Sequence, residues 1–130
     1  MAPVRQLRLV VTATDYDEAL TFFRDTLGLA EEGAYEASGG RVTILDVGRA
    51  TLEINDPVYA AYIDEVEVGR RVAGQIRVAF EVGDVAAATA DLTAGGARLI
   101  APPTRTPWDS LNARLDGPAG LQLTLFQELG

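Results

Sequence analysis

Two stretches of this 130-residue chain carry the same order of apolar and polar positions. Leu7-Arg8-Leu9-Val10-Val11-Thr12-Ala13-Thr14-Asp15 matches Ile76-Arg77-Val78-Ala79-Phe80-Glu81-Val82-Gly83-Asp84 at a constant offset of 69 positions. In each, apolar residues alternate with polar or small ones, as along a half-buried strand, and an Asp stands where a helix N-cap is needed. Helices are predicted next. Over residues 16–27, Ala19, Leu20, Phe23 and Leu27 recur at three- and four-residue spacing, with Gly28 as a stop. Over 85–94, Val85, Ala88 and Leu92 form one stripe before Gly95-Gly96. Short β-prone runs separated by turn residues follow each helix, at 30–35, 41–47 and 50–55 and again at 98–101, 110–115 and 121–127. One strand-helix-three-strand unit is therefore written twice. This predicts an α+β fold of two tandem βαβββ modules, at about 5–56 and about 75–128. Residues 57–74 read as a linker, charged over 64–71, in which Tyr59 and Tyr62 either ride a short helix over a pocket mouth or cap the core.

Strand side chains alternate between the two faces of a sheet, so each strand divides into two rows. Leu7-Leu9-Val11, Ile76-Val78-Phe80-Val82, Leu52-Ile54 and Leu121-Leu123-Leu125 are apolar rows suited to lying under the helices. The opposite rows are Arg8-Val10-Thr12, Arg77-Ala79-Glu81, Thr51-Glu53-Asn55 and Gln122-Thr124-Phe126. They mix charge, small side chains and one ring. A sheet curving with these rows inside encloses a cleft lined by Arg8, Glu53, Arg77 and Thr124.

Composition narrows the chemistry. The length suits one domain with one core. No apolar run approaches the roughly 20 residues of a membrane-spanning helix, and the N-terminus has no apolar run followed by a cleavage site, so a soluble cytoplasmic protein is expected. There is no Cys and no His, and all eleven basic residues are Arg. Thiol nucleophiles, imidazole or thiolate metal ligands, Ser-His-Asp arrangements and Schiff bases are excluded, which leaves carboxylate and oxygen chemistry. A net charge of -8 disfavours nucleic acid as a partner. The acidity is lopsided, with five Arg against twelve acids in residues 1–65 and six against seven in 66–130. Most of it reads as a solvated surface that aids solubility.

Over nearly its whole length the chain resembles the vicinal oxygen chelate superfamily, which includes glyoxalase I, fosfomycin-resistance proteins, extradiol dioxygenases and bleomycin-resistance proteins. The resemblance is carried by Asp15-Tyr16-Asp17-Glu18-Ala19-Leu20-Thr21-Phe22-Phe23 leading into Leu27-Gly28-Leu29, by Leu52-Glu53-Ile54, by Phe80-Glu81-Val82-Gly83-Asp84-Val85 and by Asp116-Gly117-Pro118-Ala119-Gly120-Leu121-Gln122-Leu123. In metal-dependent members, ligands stand on the first, fourth, fifth and eighth strands, and the resemblance places these positions on Arg8, Glu53, Arg77 and Thr124. Only Glu53 suits a metal, because a guanidinium stays protonated and donates hydrogen bonds only. No metal and no cofactor are expected. Arg8 and Arg77 are expected to pair with Glu53 instead, with one Arg edge free for a ligand carboxylate, carbonyl or quinone oxygen. Trp108, after the Pro102–Pro107 stretch, would edge the cleft and stack on a planar guest or pin its loop to the core.

Three functions follow. The first is metal-independent binding of a small organic molecule, of the glyoxalase/bleomycin-resistance type, an antibiotic or another planar ligand held by Arg8, Glu53, Arg77, Trp108, Thr124, Tyr59 and Phe126. The acidic first half suits a partly cationic guest. The second is a metal-free lyase, isomerase or ring-cleaving enzyme with Glu53 or Glu81 as base and Arg8 or Arg77 stabilising an oxyanion. The third is an interaction module whose cleft its own side chains fill. A homodimer is expected by resemblance.

Overall fold

The computed structural model describes residues 4–26, 29–117 and 121–130. Leu27 and Gly28, the predicted end of the first helix, lie outside these residues, as do Pro118, Ala119 and Gly120 of the last family motif.

The elements run β1 (Val4–Thr12), α1 (Tyr16–Leu20, continuing as a π-helical segment Thr21–Thr26), β2 (Glu31–Ala37), β3 (Gly40–Val47) and β4 (Ala50–Asn55). After these come α2 (Pro57–Glu67), β5 (Ile76–Val82), α3 (Val85–Ala94), β6 (Arg98–Arg105), β7 (Ser110–Asp116) and β8 (Gln122–Glu128). The eight strands form one sheet in the order β2-β3-β4-β1-β5-β8-β7-β6. That order is the repeat made visible. β1 is parallel to β4 in module 1 as β5 is parallel to β8 in module 2, and the modules join along the antiparallel β1–β5 seam.

The local signals act as their chemistry requires. Asp15 Oδ1 accepts the backbone N–H of Glu18, and Asp84 Oδ1 that of Ala87, so both repeated Asp residues cap their helices. Much of each apolar row lies beneath the helices in two matching clusters, whereas Leu7, Ile76 and Leu121 are exposed. Tyr16, Leu45, Leu52 and Ile54 form one with Leu9, Val11 and Phe23, and Val82, Val85, Ala88, Ala113, Leu115 and Leu125 form the other with Phe80.

Three segments depart from the sequence reading. The first helix is α-helical only to Leu20 and then widens into π-helical turns. β6 continues to Arg105 through Pro102 and Pro103, which were read as loop. An edge strand tolerates proline because its outer N–H groups have no partner to lose, and the β6–β7 register shifts on either side of Ala101. Finally, residues 57–67 of the segment read as a linker form an eleven-residue helix, longer than the short helix that was one of the two readings for Tyr59 and Tyr62. Asp56 caps α2 by accepting the Tyr59 N–H, and Pro57 sits in the first turn, where its missing donor costs nothing. Within the charged stretch Asp64 and Glu67 are buried, whereas Glu65, Arg70 and Arg71 are exposed.

Candidate functional site

The polar rows of the sheet line a cavity of about 430 Å³, bordered by α2 and by the β6–β7 turn. Arg8, Glu53, Arg77, Thr124, Phe126, Tyr59 and Trp108 all border it, so the structure gathers every residue the sequence nominated for ligand binding into one space. Glu81, the other candidate base, is not among the lining residues, although it shares a row with Arg77. It stands two residues beyond Ala79, opposite Gln6 and Phe126. The cleft is open, where the interaction-module alternative requires it to be filled.

Strand register explains how the charges are arranged. Glu53 on β4 and Arg77 on β5 both stand opposite Val10 on β1, so they share a level but lie two strands apart. At about 4.8 Å per strand, that is roughly 9.6 Å between backbones, with the buried Val10 between them. Arg8 lies one level away on β1, diagonal to Glu53, and Thr124 lies diagonal to Arg77.

The expected Arg8-Glu53-Arg77 cluster is thus realised only in its first half. Arg8 Nη1 lies 3.6 Å from Glu53 Oε2. Arg77 Nη1 instead donates to Thr124 Oγ1 at 2.7 Å, and among the described residues Arg77 has no carboxylate within ion-pairing distance. The two arrangements are equivalent under the repeat. Module 1 pairs its Arg with a Glu, and module 2 pairs its Arg with a Thr.

Arg8 has several partners. It also donates to Gln6 at 2.9 Å, lies 3.7 Å from Glu128 and stacks 4.5 Å from the centre of the Phe126 ring. Arg77 has one such contact and is 8% exposed. Burial pushes its guanidinium below the ordinary Arg range, with the Arg114 charge adding to the effect against the attraction of Glu67 and Glu53. Burial likewise pushes the Glu53 carboxyl up, outweighing the charges of Arg8 and Arg77.

The sign of the Glu53 shift has a consequence for stability. A carboxyl whose folded pKa is raised contributes stability below its unfolded pKa and loses it as pH rises through the folded value. Ionised Glu53 therefore costs stability at neutral pH. The melting temperature of Glu53→Gln, relative to the native protein, is expected to rise as pH increases from about 4, the ordinary Glu value, through neutrality. A difference that stays constant across that range would contradict the assignment.

Sequence reasoning missed the network that holds α2. Arg114, wholly buried on β7, donates to Asp64 Oδ1 through Nη1 at 2.8 Å and to Glu67 Oε1 through Nη2 at 2.7 Å and Nε at 3.2 Å. Asn112 donates to the other Glu67 oxygen at 2.7 Å, and Ser110 donates to Asn112 Oδ1 at 2.6 Å. Asp64 also receives Arg71 and the backbone N–H groups of Val72 and Ala73. Burial works against its charge, but these donors win and hold its carboxyl below the usual carboxylate range. Glu67, Asn112 and Ser110 all line the cavity. A signal existed, because Asn112 and Arg114 form a polar row against Leu111-Ala113-Leu115.

The aromatic wall lies on the same side. Tyr59 and Tyr62 meet edge to face with ring centres 5.7 Å apart, and Tyr62 lies 6.3 Å from Trp108. Trp108 remains 41% exposed, so it does not pin its loop into the core. Burial pushes the Tyr59 hydroxyl up to about 12, with Glu53 adding to the effect.

The donor set does not fit the divalent metal of the metal-dependent relatives. Arg8 and Arg77 repel a cation, and Thr124 already accepts from Arg77, which leaves one carboxylate.

The fold and this strand-by-strand correspondence define a class. Residues 5–125 match the glyoxalase/bleomycin resistance protein/dioxygenase superfamily, and the chain belongs to that family. No curated protein matches it in sequence. Among solved structures it is similar to a hypothetical protein of Bacillus halodurans at 15% identity and a TM-score of 0.69, covering 99% of this chain and 96% of that one. It is similar to methylmalonyl-CoA epimerase of Mycobacterium tuberculosis at 20% identity and a TM-score of 0.65, covering 98% and 88%. The Streptomyces coelicolor epimerase bound to 2-nitronate-propionyl-CoA is 22% identical with a TM-score of 0.65, covering 98% and 97%. At these identities the likeness concerns the fold. Among the described residues, no helix is long and apolar enough to cross a membrane.

Proposed function

We propose that this protein binds a small, planar organic molecule without a metal, in the manner of the bleomycin-resistance branch of its family, an antibiotic being one such ligand. The observation that carries this reading is the open cavity of about 430 Å³ walled on one side by Tyr59 and the half-exposed Trp108, with Arg77 in its floor. The volume is within the range of small-molecule sites, and an indole facing a cavity offers a flat, polarisable surface to a ring. A homodimer is part of the reading, and sedimentation showing only monomer at micromolar concentration would defeat that part.

The test is a thermal-shift and fluorescence screen with planar natural products, divalent metals and chelator. Binding is expected to raise the melting temperature and to shift the emission of Trp108, the only Trp in the chain. Trp108→Ala is expected to weaken binding several-fold with little loss of stability, because stacking contributes about 0.5–1.5 kcal/mol beyond area burial. A screen without hits, or stabilisation by metal that chelator reverses, would overturn the reading.

One observation favours enzymatic action on the same ligand. Burial raises the Glu53 carboxyl above its ordinary value beside the cavity, which makes its carboxylate a stronger base, and an Arg next to it can stabilise an oxyanion. Exchange of solvent deuterium into the bound ligand, lost in Glu53→Gln, distinguishes an enzyme from a binder.

A further inference from the structure

We infer that the ligand carries a carboxylate, and that Arg77 with Thr124 is its docking point. This rests on the cavity being a small-molecule site and specifies the chemical class it selects.

The argument comes from the repeat. Equivalent positions in the two modules hold Arg8 with Glu53 and Arg77 with Thr124, so the same register that gives Arg8 an acid gives Arg77 only a hydroxyl. The difference matters because Arg77 is the more buried of the two cations. A guanidinium has five N–H donors, and only one here meets a side-chain acceptor. Each nearby acid is committed or out of reach. Glu53 lies across Val10 and pairs with Arg8, Glu67 is held by Arg114 and Asn112, and Asp64 by Arg114, Arg71 and two backbone donors. Taking a charge out of water without a partner is costly, and a partner that arrives with its own negative charge removes that cost.

Space and geometry agree. Ala79, two residues along β5 and level with Thr124, also lines the cavity and places only a methyl group beside the guanidinium. A planar carboxylate meets an Arg edge through two parallel hydrogen bonds, which a neutral carbonyl cannot match and an ammonium group opposes. The acidic composition of the chain suggests a cationic guest, whereas Arg77, buried and without an ion-pair partner among the described residues, points to an anion. Glu32 and Glu128 border the same cavity but are exposed residues at its mouth, where solvent screens them.

The test uses three rigid planar probes that differ only in their polar group: 2-naphthoate, 2-naphthamide and 2-naphthylmethylammonium, titrated calorimetrically into the native protein at neutral pH. The carboxylate is expected to bind at least tenfold more tightly than the amide, and the ammonium compound most weakly. Arg77→Gln, which keeps a donor for Thr124 but removes the charge, is expected to abolish the preference for the carboxylate while leaving the amide affinity within a few-fold. Thr124→Glu supplies module 2 with the acid that module 1 already has, and it is expected to suppress carboxylate binding with Arg77 intact. It serves as the decisive variant if Arg77→Gln does not fold. Equal binding of amide and carboxylate, or a preference for the ammonium probe, would overturn the anionic assignment and leave the cavity reading standing. Failure of all three probes to bind the native protein would overturn both.

Discussion

Arg114→Met is expected to lower the stability of the folded protein by about 3–5 kcal/mol, the cost of removing one partner from a buried ion pair. Two carboxylates depend on this guanidinium, and they are not equally exposed to its loss. Asp64 keeps Arg71 and the backbone N–H groups of Val72 and Ala73, whereas Glu67 keeps only Asn112. The uncompensated charge thus falls on Glu67, at the end of α2 that borders the cavity. Adding Glu67→Gln to Arg114→Met is therefore expected to recover more of the loss than adding Asp64→Asn. Urea denaturation of the three variants at neutral pH measures this. A loss below about 1 kcal/mol for Arg114→Met would mean that water reaches Glu67 and that the network is not what fixes the helix.

How much of this was legible depends on the range of the interaction concerned. The repeat, the helix caps at Asp15 and Asp84 and the division of each strand into a core row and a cleft row rest on contacts a few residues long. The chain displays those directly. Cavity residues such as Arg8, Glu53, Arg77 and Thr124 followed from the same alternation, since a two-residue period fixes which side chains share a face.

The ion pairing did not follow, because it depends on register between strands. The sequence places Arg8, Arg77 and Glu53 on one face, but only the alignment of both strands against Val10 separates Glu53 from Arg77. The role of α2 was hidden for a similar reason. Asp64 and Glu67 read as part of a charged linker until Arg114, 50 and 47 positions further on, is brought between them. The Pro102-Pro103 pair was misread because proline signals a loop unless the strand is at an edge, and edge position is a property of the whole sheet.

Gly40→Ala is expected to push the start of α2 off β3 and to disturb the cavity wall with it. A Cβ at Gly40 would lie 2.2 Å from the backbone nitrogen of Tyr59 and 2.5 Å from its Cα, so no side-chain rotation relieves the clash. The chain is also tied here, since the Asp56 N–H donates to the Arg41 carbonyl at 3.0 Å and Asp56 caps the helix. Overpacking of this kind costs about 1–3 kcal/mol, with the upper end expected where backbone meets backbone. Gly39→Ala is the control. Its backbone is left-handed at φ +81°, and a Cβ there would come no closer than 4.0 Å to Val58, so its cost of about 1–2 kcal/mol is conformational and leaves α2 in place. Both variants are expected to melt earlier than the native protein. Only Gly40→Ala is expected to shift Trp108 emission in the absence of ligand, because Tyr59 contacts Tyr62 and Tyr62 contacts Trp108. Equal shifts in both variants, or none in either, would mean that the contact between Gly40 and Tyr59 does not set the position of the helix over the cavity.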